Sequence, residues 1–354
     1  MLTKPVSVED ARVQPQRSAP WSSLQVFSTC PSSGATPDHY VERVIQVARW
    51  SERAGCTGTL IYTDNSLVDP WLVAQVIIQN TRSQCPLVAI QPVYMHPFSV
   101  AKMAASLAFL YGRRVYLNMV AGGFKNDLTA LNDTTPHDRR YDRLVEYTLI
   151  VRGLLDGRSP LTFEGDFYRV NGLTLRPGVP PELLPGILVS GSSDAGMVAA
   201  RLMGAVAVKY PEPPGQCASE APIRDTPTGI RVGIIARADE DEAWKIALER
   251  FPQDRQGQIA HQLAMKVSDS VWHKRLSEIG HQSNGGRHPY WLHPFETYKT
   301  FCPYLVGSYE SVAAELASYM ATGYRTYILD IPAAEEEFEH IGTVFQMASQ
   351  TACI

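Results

Sequence analysis

Residues 186–196 read GILVSGSSDAG, an apolar run that gives way to glycine, serine and aspartate just before a segment of helical pattern. The apolar half has the near-continuous hydrophobic character of a strand buried on both faces. Its small, hydroxylated end suits two purposes. Ser and Asp are good helix N-caps, and Gly permits a tight strand-to-helix turn. Free backbone N–H groups at a helix N-terminus, with no large side chain above them, also make a seat for a phosphate. Whether this unit is isolated or repeated decides the architecture.

It is repeated. Further apolar, β-branched runs stand at LQVFST (24–29), GTLIYT (58–63), PLVAIQP (86–92), RVYLNMVAG (114–122), AVAVKYP (205–211), IRVGIIAR (230–237) and TYILDIP (326–332). With GILVSGS (186–192) they make eight predicted strands. Helical patterns lie between them. PDHYVERVIQVARWSERAG (37–55) sets Tyr40, Val44, Val47 and Ala48 on one face and stops at Gly55. PFSVAKMAASLAFLYG (97–112) begins at a proline and ends at a glycine. HDRRYDRLVEYTLIVRGLLDG (137–157) and SYESVAAELASYMATG (308–323) follow later. Eight strand–helix units predict an α/β fold, the (β/α)8 TIM barrel. A doubly wound open sheet fits less well, for want of an early Gly-rich fingerprint.

Two intervals exceed simple connections: 157–185, read as a hairpin with a proline-rich return after strand four, and 253–300, after strand seven. Such long segments often serve as lids or binding loops. The expected organisation is a flexible N-terminal arm over 1–22 and one barrel domain over 23–354.

The formal charge of −4 offers no electrostatic case for a nucleic-acid partner. Six scattered cysteines without CxxC pairs point to neither zinc nor a disulfide framework. Neither a secretory signal nor a membrane-spanning run is read, so a cytoplasmic protein is expected.

In a barrel, function sits where strands end. Those positions hold Thr63-Asp64-Asn65, Gln91-Pro92, Asn118 to Gly123, Ser190 to Ser193, Tyr210 to Glu212, Arg231 and Asp330. They supply amides, hydroxyls, glycines and one arginine, without a carboxylate pair for glycoside hydrolysis, a metal cluster or a GxSxG elbow. The loop histidines His261, His273, His281, His288 and His293 read as solvated. Such a site suits a bound organic cofactor that carries the hard chemistry.

Over about residues 23–350 the chain resembles the bacterial luciferase-like flavin monooxygenases, and within them the alkanesulfonate monooxygenase branch. The resemblance is carried by GCTGTLIYTDNSLVDPWLVA (55–74), YGRRVYLNMVAG (111–122), HDRRYDRLVEYTLIVRGLL (137–155), LVSGSSDAG (188–196), YPEPPG (210–215), GIRVGIIARADEDEAW (229–244) and LVGSYESVAAELASYMATG (305–323). It implies reduced FMN, delivered by a separate flavin reductase, which with O2 forms a C4a-(hydro)peroxyflavin that oxygenates the substrate. Asn118 would lie under the isoalloxazine beside Thr63. Tyr141 would approach the phosphate, and Gly191, Ser192 and Ser193 would cradle it. Arg231 matches the family's active-site arginine, its plain alternative being a structural ion pair with Asp330 or Glu212. Tyr298, Lys299 and His293 fall where the mobile lid is expected.

Departures shape the expected chemistry. The branch's cysteine after strand two is Leu67, its histidine two residues beyond the arginine is Gly233, and its tyrosine near the end of strand eight is Ile331. A more apolar pocket suits a small organic substrate, free or carried on another protein, better than a small sulfonate. Pairing of copies as a homodimer or dimer of dimers is expected through WLVAQVIIQ (71–79) and VAKMAASLAFLYG (100–112), unless those faces pack on the barrel. A deazaflavin-dependent oxidoreductase and an inactive flavin-binding homologue stay open at this point.

Overall fold

A computed structural model describes residues 21, 23–34, 36–122, 125–158, 160–191, 193–214, 226–267, 271–282 and 287–352. In chain order the strands are β1 (Gln25–Thr29), β2 (Gly58–Ile61), β3 (Cys85–Ile90) and β4 (Tyr116–Val120), then the antiparallel pair β5 (Leu161–Glu164) and β6 (Arg169–Leu173). There follow β7 (Gly186–Ser190), β8 (Val206–Lys209), β9 (Thr228–Arg237), a short β10 (Tyr290–Trp291), β11 (Tyr304–Ser308) and β12 (Thr326–Leu329). β1, β2, β3, β4, β7, β8, β9 and β12 pair in parallel in that order, and β12 returns to β1. This is the closed (β/α)8 barrel that the eight apolar runs predict.

Helices fill the crossovers for local reasons. α1 (Pro37–Arg53), α2 (Pro70–Asn80) and α3 (Pro97–Tyr111) each begin with proline, whose missing N–H costs nothing there. The Thr36, Asp69 and His96 side chains accept from the orphan amides. After the short α4 (Lys125–Ala130), α5 (His137–Leu155) is the longest. α6 (Asp194–Met203) ends at Gly204 in the left-handed region.

The core is layered. Phe27, Leu60, Leu87, Tyr116, Leu188, Val208 and Ile328, one from each of seven barrel strands, pack together inside the barrel. Phe27 and Tyr116 meet edge-to-face at 5.1 Å. Gly186 admits the Tyr116 ring, since a Cβ there would stand 2.5 Å from it. Larger clusters lie between the strands and the helices outside.

Two findings modify the sequence reading. The expected arm lies outside the described residues except at its end, where Trp21 is buried. It donates its Nε1–H to the Gly55 carbonyl at 3.0 Å and packs edge-to-face on Phe345. Burial of so large a side chain ties that end of the segment down. Secondly, β9 serves a third ladder besides its barrel pairings with β8 and β12. Gly229–Val232 pairs with β12, whereas Gly233–Arg237 pairs with β11, a further parallel strand outside the barrel. The detour between them holds α7 (Glu240–Arg250), α8 (Arg255–Val267), α9 (Val271–Gln282), β10 and α10 (His293–Glu296). α11 (Tyr309–Ala321) and α12 (Glu337–Thr351) complete the chain's helices as described.

Cys30, Cys56 and Cys302 are buried free thiols, and Cys85 is half-buried. Burial pushes Cys30 and Cys302 up to about 12 and raises Cys56 and Cys85 as well. Cys217 and Cys353 lie outside the described residues. Among the described residues no helix is long and apolar enough to cross a membrane, and no cluster of His, Cys, Asp and Glu could hold a metal.

Candidate active site

Because the strands are parallel, all their C-terminal ends open on one face. There a cavity of about 400 Å³ is lined from β2, β3, β4, β7, β8, β9 and β12 and the loops that follow. Thr63, Asn118, Tyr141, Gly191, Ser193 and Arg231 all line it. Ser192 lies outside the described residues.

In the cavity wall the turn after β7 meets the first turns of α5. Ser193 is the N-cap of α6 and accepts from the Gly196 amide at 3.2 Å. Its hydroxyl proton remains available to donate toward the cavity. Gly191 lies against Tyr141: a Cβ at 191 would stand 2.5 Å from the phenol oxygen. Tyr141 and His137 sit four apart on one face of α5, their rings edge-to-face at 5.4 Å, and His137 also lines the cavity. The same i, i+4 spacing from Tyr141 would have found His137 in the sequence. Beside them, buried Asn118 accepts from Ser190 Oγ through Oδ1 at 2.8 Å.

The loop leading into α5 is held by an ion pair. Arg143 donates to Asp133 at 2.7 Å, and the Thr135 hydroxyl to the same carboxylate at 2.6 Å. Burial alone would raise Asp133, but these hydrogen bonds outweigh it and hold the carboxyl at about 2, below its ordinary 3.8. A depressed carboxylate contributes stability that is complete above its unfolded value and lost as pH falls through the folded one. The thermal stability of wild type is therefore expected to fall as pH drops between those two values. The same scan on Asp133→Asn should lack that part of the decline, and an unchanged decline would remove the assignment.

Arg231, 6% exposed, projects from β9 into the same cavity. Its guanidinium lies 4.7 Å from the centre of the Tyr62 ring and 5.9 Å from that of Tyr210. Nη1 reaches the Tyr210 hydroxyl and Nη2 reaches Asp330 Oδ1, each at 3.5 Å, while Nε finds no acceptor. The sequence alternatives for its ion pair resolve in favour of Asp330, because Glu212 pairs with Arg275 at 2.9 Å. Trp272 and Phe301 close the wall. Neither was visible from strand ends, since both belong to the long detour after β9.

Three residues expected at the lid do not line the cavity. Lys299 pairs with Asp254, and His293 stacks on Trp291 at 5.4 Å. Tyr298 is exposed at φ +59°, beside Phe301 at 5.7 Å. The cause is local: α10 turns Phe295 into the core against His261 at 4.7 Å, so the next turn faces outward. His261 is accordingly buried, where the sequence reading had it solvated, whereas His288 is exposed. The side chains of His273 and His281 lie outside the description.

Comparison with known proteins accords with this geometry. The family model described as luciferase-like monooxygenase matches residues 23–326. A Niallia circulans relative, 4-(gamma-L-glutamylamino)butanoyl-[BtrI acyl-carrier protein] monooxygenase BtrO, is 34% identical over 311 residues, covering 86% of this chain and 91% of its own. Riboflavin lyase RcaE, solved with modified FMN and riboflavin, superposes with a TM-score of 0.72 at 16% identity, over 90% of each chain. An F420-dependent secondary alcohol dehydrogenase gives 0.60 at 15% identity, over 93% of this chain and 99% of its own. The two structures establish the fold alone. A family match over most of the chain, with a relative of this similarity named as a monooxygenase, establishes more: the chain belongs to the luciferase-like monooxygenases and is an enzyme of that family.

Proposed function

We propose that the cavity binds reduced FMN delivered by a separate flavin reductase, and that the enzyme oxygenates an organic acyl substrate presented on a carrier protein. The observation that carries the cofactor reading is the close approach of Gly191 to Tyr141. The missing side chain at 191 lets the Tyr141 hydroxyl stand against the turn that precedes α6, and Tyr141, His137 and Ser193 all offer hydrogen-bonding groups to the same cavity. Backbone amides and hydroxyls at a helix N-terminus are the donors a phosphate monoester needs. Asn118 and Thr63 line the same cavity and would orient the ring system.

Bound reduced flavin supplies the electrons that activate dioxygen. The chain's own part is threefold. The seat orients the cofactor, the aromatic wall of Tyr62, Tyr210, Trp272 and Phe301 excludes water, and Arg231 presents fixed positive charge where an oxyanion develops. The acyl-carrier substrate is supported by the 34% identical Niallia circulans monooxygenase, which acts on a butanoyl group held on an acyl-carrier protein. Pairing of two copies through α2 and α3 is supported by the exposed Leu72, Phe109 and Leu110, although Trp71, Ala74 and Ile77 of α2 pack inward.

Anaerobic titrations with reduced FMN, oxidised FMN and reduced F420 test the cofactor. Tight binding of reduced FMN is the expected result; binding of F420 alone would replace the reading with hydride transfer. Incubation with reductase, O2 and a γ-glutamylaminobutanoyl thioester on a carrier protein should then add one oxygen atom, read by mass spectrometry.

A further inference from the structure

Arg231 is held by a group that stands outside the cavity lining. Asp330, one residue past β12, turns its two carboxylate oxygens to different partners. Oδ1 faces Arg231 Nη2 at 3.5 Å. Oδ2 accepts from the Thr300 hydroxyl at 2.6 Å and the Tyr304 hydroxyl at 2.7 Å. All four side chains are buried, so solvent does not stand in for the contacts among them.

The division of the carboxylate has an electrostatic consequence. Two short hydroxyl hydrogen bonds satisfy the far oxygen, leaving Arg231 only a long contact with the near one. Such a carboxylate can fix the guanidinium's place without closing tightly on it, so positive charge stays available to the cavity. A bidentate pair would consume it.

Tyr304 reaches Asp330 because of Gly233. The β9–β11 ladder sets Tyr304 directly opposite Gly233. A Cβ at 233 would run into the Tyr304 ring itself, closer than real side chains approach. The position where the resemblance expects a histidine is thus the space that the Tyr304 ring fills. β11, which belongs to no barrel strand pair except through β9, brings a hydroxyl to the charge centre from outside the barrel.

We propose that Asp330, with the hydroxyls of Tyr304 and Thr300, positions Arg231 at the cavity wall, and that Gly233 exists to admit Tyr304. The placement of Arg231 stands on geometry alone. Its bearing on oxygenation rests on the function proposed above.

The test uses full-length protein labelled with ¹⁵N-arginine. The Nε–H resonance of Arg231 is assigned by its loss in Arg231→Lys, and its exchange with solvent is followed. In wild type, a buried and held guanidinium should give a slowly exchanging signal. Tyr304→Phe, which keeps the ring, and Asp330→Asn should each speed that exchange about tenfold or more, because local opening then replaces a fixed contact. Gly233→Ala should do the same by displacing the ring. The Arg237 resonance, from the other buried pair with Glu337, should not move. Unchanged exchange at Arg231 in both Tyr304→Phe and Asp330→Asn would overturn the proposal. So would equal loosening of all buried arginines with a collapse in Tm, which means a general structural role. Reduced FMN titration of the wild type runs alongside: its failure removes the cofactor reading and leaves the Arg231 result standing.

Discussion

Arg231→Ala is expected to lower substrate oxygenation by about 10²–10³-fold, the cost typical of losing one preorganised charge-stabilising group. Affinity for reduced FMN should be nearly unchanged, because the contacts of Arg231 are Tyr62, Tyr210 and Asp330 and not the proposed seat at Gly191 and Tyr141. Electrons would still reach oxygen, so NADH consumption by the coupled reductase should continue while hydrogen peroxide replaces product. Arg231→Lys is the informative control. An ammonium keeps the charge but loses the planar stacking on Tyr62 and the fixed fork of donors, so it should recover only part of the rate. The measurement is the ratio of oxygenated product to peroxide per NADH consumed. An unaltered ratio in Arg231→Ala would confine the residue to a structural pair with Asp330.

Gly191→Ala carries the second large effect. The added methyl would stand 2.5 Å from the Tyr141 hydroxyl oxygen, so either the ring moves or the turn does. In both cases the proposed phosphate seat loses its shape. Loss of one charge-assisted hydrogen bond is worth about 1.5–3 kcal/mol, or roughly 10–100-fold in Kd for reduced FMN. Gly191→Ala combined with Tyr141→Phe separates the two consequences. Removing the hydroxyl relieves the nearest clash, so Tm should recover, while the methyl still stands in the turn and binding should stay weaker than in Tyr141→Phe alone. Recovery of binding together with Tm would mean that the glycine serves packing alone.

The barrel was readable because each of its strands announces itself as an apolar run followed by a helix signal, and because strand ends then name the site. Asn118, Gly191 and Arg231 share a cavity for that reason. Loops carry no such period. Trp272 and Phe301 reach the cavity, and Lys299 and His293 do not, because of how α10 turns Phe295 inward, a tertiary outcome with no local signature. Tyr304 shows the same limit in a strand. YLVGS is not among the eight runs read as strands; its partner is half of β9, and only the ladder reveals that the missing side chain at Gly233 and the aromatic ring at 304 are one feature.

The state of the thiols has a consequence for the enzyme's lifetime. Uncoupled turnover releases peroxide within a few ångströms of the protein that made it, and peroxide oxidises thiolates rather than thiols. Cys302 is hydrogen-bonded near Thr300, close to the charge centre, yet burial holds it at about 12, and Cys30 is held as high. At neutral pH both stay almost wholly protonated and inert. Under the proposed chemistry, peroxide from a misfired turnover would meet no thiolate at Cys302, the thiol beside the Arg231–Asp330 pair.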